Sequence, residues 1–398
     1  MKAYLDHGSS SPTRESAIRA MEPYYRKVYA NAASNHAAGR EARAALEMAR
    51  ERIASLVGAD SREIIFTSGG TESIILAHVG LAHVGLAHDG SVAGNRGKGN
   101  HIVTTAFEHH AVHAVLDFMR DQMGFEYEMI GIDADGMVRL DELEKAIRDK
   151  TVLVSVMSVN NEIGTAQEIN KIAKLCQKKG IVFHSDFVQA VGKVPVDFHK
   201  LGVDLASVSG HKFGGPKGIG FLYMKQGTNL VPVCKSSHEF GMRAGTMNVG
   251  AAVGLSAALQ EAVRDMHELT NRLHKYRQRI WECIQSIAPD ARPNGSIEKS
   301  VPAILNVRFP GCSGESIVLM LDREGIECST ASACLSSDSE PSHVLKALGL
   351  SYLDALSSVR ISMGYSTTRE EIDYFCHVFP EVYRRAKATD ERVVQESL

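Results

Sequence analysis

Three short clusters in this chain carry residue types that can do chemistry, and each lies at the end of a strand-like run. The first is TSGGTES at 67–73. Its two glycines let backbone approach a ligand closely. A helix starting there offers unpaired N–H groups and a positive dipole end to an anion, with the Thr71 hydroxyl beside Gly70. Alone, this reads equally as a structural turn or a phosphate cradle, and no GK[ST] follows to make it a P-loop. The second cluster, SDFVQ at 185–189, puts the Asp186 carboxylate where an apolar run stops, either as a helix N-cap or as the partner of a bound cation. The third, SVSGHKFGGPKGIG at 207–220, surrounds Lys212 with small residues and glycines, a crowded setting in which a lysine rarely lacks a partner. Lys217, in the glycine turn, competes for any lysine chemistry. Lys212 is favoured because it lies nearer the strand end and follows Ser209 and His211, two candidate phosphate donors.

An anion cradle, a carboxylate and then Ser-x-His-Lys, in that order, suit pyridoxal phosphate. The lysine supplies a Schiff-base link, the aspartate keeps the pyridine nitrogen protonated, and hydroxyl and N–H groups hold the phosphate. Of the seven cysteines, Cys334 stands out, because STASACLSSDSEPS (329–342) reads as a loop of small polar residues. An exposed thiol with a pKa of about 8.5 is partly thiolate near neutral pH and can attack sulfur. Cys328 follows an apolar segment and reads as a strand thiol. The spacing of the two fits no common zinc site, and the other five cysteines read as small packed hydrophobes. Glu108-His109-His110 with His113 could face a metal from a helix, but HExxH is absent, and no metal is expected.

These residues need a frame. Strand-like runs at 63–68, 101–106, 151–159, 181–186, 205–210 and 218–224 alternate with helical stretches such as 15–29, 39–58 and 169–180. That pattern predicts an α/β fold with a mainly parallel sheet, whose ligands bind beyond the carboxyl ends of the strands. From about 250 a long helical run to 287 leads into a strand at 303–309, the texture of a smaller α+β domain. A five-residue repeat, LAHVGLAHVGLAH (76–88), is too short for a solenoid and reads as a helix with a loop extension. With 398 residues, 44% hydrophobic and 23% charged, the chain is an ordinary globular protein of two or three domains. A net charge of −3 gives no basic stripe for nucleic acid. No apolar stretch is long enough to span a membrane, and the opening residues lack a secretory core. An odd number of scattered cysteines without CxxC then points to free thiols in a reducing, cytoplasmic setting.

The motifs together resemble the cysteine desulfurases of the NifS/IscS type, in the fold-type I, class V aminotransferase group, along nearly the whole chain. The residues that carry the resemblance are YLDHGSSSP, FTSGGTES, FEHHAV, SVNNEIG, SGHKFGGPKGIG, GMRAGT, ASAC followed by EPS, and SSVRISMG. The resemblance implies a large pyridoxal-phosphate-binding domain at 14–250, with a mainly parallel seven-stranded-type sheet. A small α+β domain from 1–13 and 251–398 would carry the Cys334 loop. It also implies roles. Lys212 would carry the cofactor, Asp186 would pair with the pyridine nitrogen, and Gln189 and Asn161 would address the ring hydroxyl. His109 would stack on the ring and handle protons. Gly70, Thr71, Ser209 and His211 would hold the phosphate, joined by Thr246 from the other subunit of a homodimer. Arg360, with Asn161, would bind the substrate carboxylate. L-cysteine would yield L-alanine and a persulfide on Cys334 for a sulfur-acceptor protein, in iron–sulfur assembly or another thio-modification. A selenocysteine lyase is the alternative activity. The chain departs from the family pattern at His7–Ser11, Ile74, Phe187, Lys235-Ser236-Ser237, Phe240 and Tyr365, changes that bear on specificity and partner surfaces.

Overall fold

The computed structural model describes residues 1–86, 99–330 and 341–396, so Cys334 and the end of the LAH repeat lie outside the described residues. The six apolar runs become six strands of one seven-stranded sheet. Across it the order is Ile64–Thr67, Gly220–Met224, Leu205–Ser209, Val182–Asp186, Thr151–Ser155, His101–Thr105 and Glu126–Ile130. Gly220–Met224 runs antiparallel to both neighbours, and every other pairing is parallel. The four strands from Leu205–Ser209 to His101–Thr105 are buried at every position, as expected of a parallel sheet covered on both faces, and Thr151–Ser155 accordingly belongs to a near-continuous apolar run. Glu126–Ile130 escapes the sequence reading for the opposite reason. It is an edge strand with Glu126 and Met129 exposed, so it has no apolar signature.

The expected helices form at Glu15–Arg26, Ala37–Leu56, Ile169–Lys179 and Val249–Ile287. The last runs for 39 residues and packs against the first two and against Arg369–Glu396. No helix among the described residues is long and apolar enough to cross a membrane. A second, antiparallel sheet contains Ser329–Thr330, Ser358–Ser362, Ile304–Arg308 and Arg292–Pro293, in that order. The beginning of the chain is woven into this late part: Ala3–Tyr4 pairs with Ile326–Glu327, and Asp6 bridges to Ser362. This pairing lays Gly8 and Ser9 beside residues more than 350 positions away, and Gly8 N–H donates to Ser362 Oγ at 2.8 Å.

Two close approaches fix the entry to the glycine cluster. A Cβ on Gly220 would lie 2.2 Å from Val208 O and 2.8 Å from Gly69 Cα, and one on Gly70 would lie 2.7 Å from Val188 Cγ2. The edge strand leading into this turn is held by a buried ion pair. Arg50 donates to Glu239 at 2.6 and 2.8 Å and to Ile64 O, while Glu239 also accepts the Phe66 N–H. The guanidinium lies between the rings of Phe66 and Phe240, at 4.7 and 5.0 Å. Removing Glu239 takes the buried partner from Arg50, leaves the guanidinium only the half-exposed Glu47 at 3.0 Å as a charged partner, and leaves the buried Phe66 N–H unpaired. Glu239→Ala is therefore expected to cost about 3–5 kcal/mol, read as a lower melting temperature and denaturant midpoint. An unchanged melting curve would refute this role for the pair.

Candidate active site

The chemical residues sit where the strands end. Asp186 is the last residue of its strand and Ser209 the last of the neighbouring one, with His211 and Lys212 in the 3-10 turn Gly210–Lys212 immediately beyond. Gly70 and Thr71 begin the helix Gly70–Leu86, so its unpaired N–H groups face the same region. His109 is the N-cap of the helix His110–Met123. Together they border a cavity of about 320 Å³ lined by Gly8, Ser9, Gly70, Thr71, Ile74, His109, Met157, Asn161, Asp186, Val188, Gln189, Ser209, His211, Lys212 and Arg360. Ten of the eleven described site residues singled out from the sequence thus meet in one place. Thr246 does not; it is exposed, on the loop before the long helix. Cys334 falls outside the described residues. Lys217, the competing lysine, is exposed.

Lys212 Nζ donates to the carbonyls of Gly8 and Ser9, both at 2.7 Å. Burial, and then the Arg360 charge, push its pKa down to about 8, against the opposing pull of Asp186 and Asp6. Asp186 accepts the Val188 N–H at 2.8 Å, and burial pushes its pKa up to about 6 although Lys212 acts the other way. His109 opens onto the cavity, yet protein crowds the ring. Desolvation, then Lys212, His110 and His113, bring its pKa down to about 4. Its Nδ1 accepts the Ala111 N–H at 3.1 Å, which assigns the proton of the neutral ring to Nε2. Arg360 comes from the second sheet. It donates to Asn161 O at 3.1 Å, Asp6 Oδ1 at 2.9 Å and Ser9 Oγ at 2.7 Å. Gln189 Nε2 donates to Gly8 O at 2.9 Å.

Sequence reasoning missed the wall made by Gly8 and Ser9, although the YLDHGSSSP motif carried that signal. It also missed Met157 and Val188, whose apolar side chains have none. The Glu108 carboxyl is turned inward, away from any metal role. It accepts Thr105 Oγ1–H at 2.6 Å and Met157 N–H at 2.8 Å, and burial raises its pKa to about 8. In the LAH repeat, His78 is a core histidine bonded to Ile74 O and Ser155 Oγ. Phe187 points into the core, edge-on to Phe198 at 5.1 Å, so that departure from the family pattern is one of packing. Tyr365 lies under the Arg14 guanidinium at 4.0 Å and donates to Pro12 O. Cysteines 176 and 312 are buried as expected, but Cys234 is exposed, on a loop with no core to enter. Cys328 lies in the link between two short strands.

The residues present fit pyridoxal phosphate. The cavity has the size of a small-molecule site, with a lysine amine, a buried carboxylate and a helix N-terminus on separate walls. Asn161 Oδ1, on the same lining, is buried without a hydrogen-bond partner, as expected of a group kept for a ligand.

Comparison with known proteins agrees with this geometry. The family described as aminotransferase class-V matches residues 3–375. The cysteine desulfurase IscS of Dictyoglomus turgidum is 41% identical over 387 residues, 97% of this chain and 95% of that protein. The cysteine desulfurase IscS of Methanosarcina thermophila is 40% identical over 385 residues, 96% and 92% of the two chains. Among solved structures, a NifS-like protein superposes with a TM-score of 0.88 at 33% identity, over 96% of this chain and 100% of that one. A structure described as SspA in complex with cysteine gives a TM-score of 0.80 at 30% identity, over 92% and 100%.

The Lys212 environment sets a measurable pH. In the cofactor-free protein, acylation of Lys212 by a small amine-reactive reagent, followed by peptide mass spectrometry, should show a midpoint near pH 8, where exposed lysines titrate near 10.4. Below that midpoint the amine is protonated and unreactive. A midpoint in the ordinary range of exposed lysines would overturn the burial argument.

Proposed function

The chain belongs to the class-V aminotransferase family, and from that premise we propose how its own residues work as a pyridoxal-phosphate-dependent cysteine desulfurase. The protein removes sulfur from L-cysteine. The observation that carries the residue assignment is the meeting of Lys212, Asp186, the helix N-terminus at Gly70 and Arg360 around one cavity. Lys212 would hold the cofactor, and Gly70, Thr71, Ser209 and His211 would grip its phosphate. Asp186 would face the ring nitrogen, while Asn161 and Gln189 would face the ring oxygen. His109, neutral and carrying its proton on Nε2, would stack on the ring and shuttle protons. When bound, pyridoxal phosphate joins the substrate amine covalently and accepts the electron pair released at Cα.

The remaining work belongs to the protein. Arg360 would clamp the substrate carboxylate with a guanidinium already oriented by Asp6, Ser9 and Asn161. Lys212 Nζ, released by the incoming amine, would take the Cα proton. Its depressed pKa leaves a larger share of free base at neutral pH than an ordinary lysine has. Cys334 Sγ, as thiolate, would attack the substrate sulfur. The S–S bond forms as Cβ–S breaks, its electron pair passes to the carbon skeleton, and protonation there gives L-alanine. The product on the protein is a Cys334 persulfide for a sulfur-acceptor protein, in iron–sulfur assembly or another thio-modification. We further propose a homodimer in which Thr246, exposed and off its own cavity, reaches the phosphate of the partner subunit. The large domain would span 14–250, with 1–13 and 251–398 forming the small one, a division supported by the two separate sheets. Six free cysteines among the described residues support a cytoplasmic setting.

The purified protein should be yellow and should release sulfide and alanine in equal amounts from L-cysteine with a reductant. Cys334→Ala should retain the visible cofactor band and lose sulfide release, and Lys212→Ala should lose the covalently held band. Full desulfurase activity in Cys334→Ala would sink that assignment. A yellow protein inert toward L-cysteine but active on selenocysteine would favour the lyase.

A further inference from the structure

Lys193 is a deeply placed cation for which the scheme above has no task. It lies seven residues beyond Asp186, in the turn that carries Gln189. Its Nζ donates to Gln189 Oε1 at 2.5 Å. Gln189 Nε2 in turn donates to Gly8 O at 2.9 Å, and that same carbonyl accepts Lys212 Nζ at 2.7 Å. Lys193 makes no ion pair among the described residues. The charges that bear on it, Lys212 and Arg360, have its own sign, and it depresses the pKa of both His7 and His211. The carboxylates of the cluster are directed elsewhere: Asp6 pairs with Arg360, and Asp186 accepts from Val188. Lys193 and Lys212 both border a second cavity, of about 30 Å³, with room for water to meet remaining ammonium protons.

Burial, then Lys212 and Arg360, lower the Lys193 pKa to about 7, so the ammonium dominates below that pH; in that form it is a buried cation opposed by cations, a cost that an apolar side chain of the same length would avoid. What lysine offers in exchange is direction. An ammonium is donor-only, so it can bind the oxygen end of the Gln189 amide and not the nitrogen end. That fixes the amide with Nε2 away from Lys193. One N–H of Nε2 is bonded to Gly8 O, and the second is left for the large cavity that Gln189 lines. A cation on the carbonyl end also polarises the amide and strengthens that donor.

We propose that Lys193 is a positioning residue: through Gln189 it presents an oriented, polarised N–H to the anionic ring oxygen of the bound cofactor. This rests on the desulfurase reading above and adds a residue to it.

The test is a pH titration of the visible band of the cofactor-loaded protein, with the melting temperature measured alongside. Lys193→Met removes a nearby positive charge that is present below about pH 7, so the band's midpoint should move to higher pH, by on the order of one unit. Lys193→Arg, which restores charge and donors, should bring the midpoint back toward the parent. Lys193→Met should also melt at the same or a higher temperature, because it removes an uncompensated buried cation. If Lys193→Met does not fold, Lys193→Gln, which keeps a donor without the charge, should give the same upward shift. An unchanged midpoint overturns the proposal. So does a shift that Lys193→Arg fails to reverse in a destabilised Lys193→Met, since that would mark Lys193 as packing. Failure of the underlying reading looks different: the parent protein itself would then take up no cofactor and show no band.

Discussion

The structure turns on three cations gathered around two cavities that share Lys212. Lys212 and Lys193 come from the turns after two sheet strands and Arg360 from a strand of the second sheet; Arg360 borders the larger cavity and Lys193 the smaller, while Asp6 and Asp186 are the carboxylates beside them. Cations so placed repel one another and have lost part of their hydration. Lys212 and Lys193 both hold their protons less tightly than free lysines, and in both cases burial is the main cause, with like charge adding to it. A ligand carrying a phosphate and a carboxylate relieves that repulsion, so the protein's own electrostatics select for an anionic cofactor and an amino-acid substrate.

Holding those cations in place requires the two ends of the chain to meet. The first ten residues would be a floppy terminus if Ala3–Tyr4 and Asp6 were not paired with late elements. Because they are, the carbonyls of Gly8 and Ser9 face Lys212, and the Ser9 hydroxyl and Asp6 carboxylate face Arg360. The lysine proposed to hold the cofactor and the arginine proposed to hold the substrate therefore share one wall, four residues long. A displacement of that wall moves both groups together, which keeps the reacting carbon in register with the base.

Much of this was legible in the sequence because buried parallel strands and close-packed turns leave strong signatures. Continuous apolar runs marked six strands, and the residues just beyond them proved to line the cavity. The glycines at 69, 70 and 220 were legible for a steric reason, since a Cβ at 220 would strike the Gly69 backbone. What the sequence hid were interactions made by backbone or by distant pairs. Carbonyls of Gly8 and Ser9 have no side-chain signature, Glu126–Ile130 is polar because it is an edge, and Arg50 and Glu239 lie 189 positions apart. Lys193 was hidden because a lysine after a glycine reads as a surface residue, and its burial and its bond to Gln189 separate it from one.

Histidines crowd the site, yet they add little to its charge. Burial brings His7, His109, His211 and His343 to pKa values of about 4, so all four are neutral at physiological pH. They act as oriented hydrogen-bonding rings, with His109 fixed by Ala111 N–H and His7 facing Ser11 Oγ. The groups on the larger cavity with pKa values near neutrality are Asp186, at about 6, and Lys212, at about 8, while a neutral His109 can still pass a proton through its two ring nitrogens. Their shifts also bear on stability. A carboxyl raised above its unfolded value costs stability once pH exceeds that lower value, and a lysine depressed below its unfolded value costs stability until pH passes the higher one. Both penalties apply between about pH 6 and 8, where both groups are mostly charged, and a ligand that pairs with the two charges removes them together. The same arrangement that lowers the Lys212 pKa therefore makes binding of the cofactor stabilise the fold.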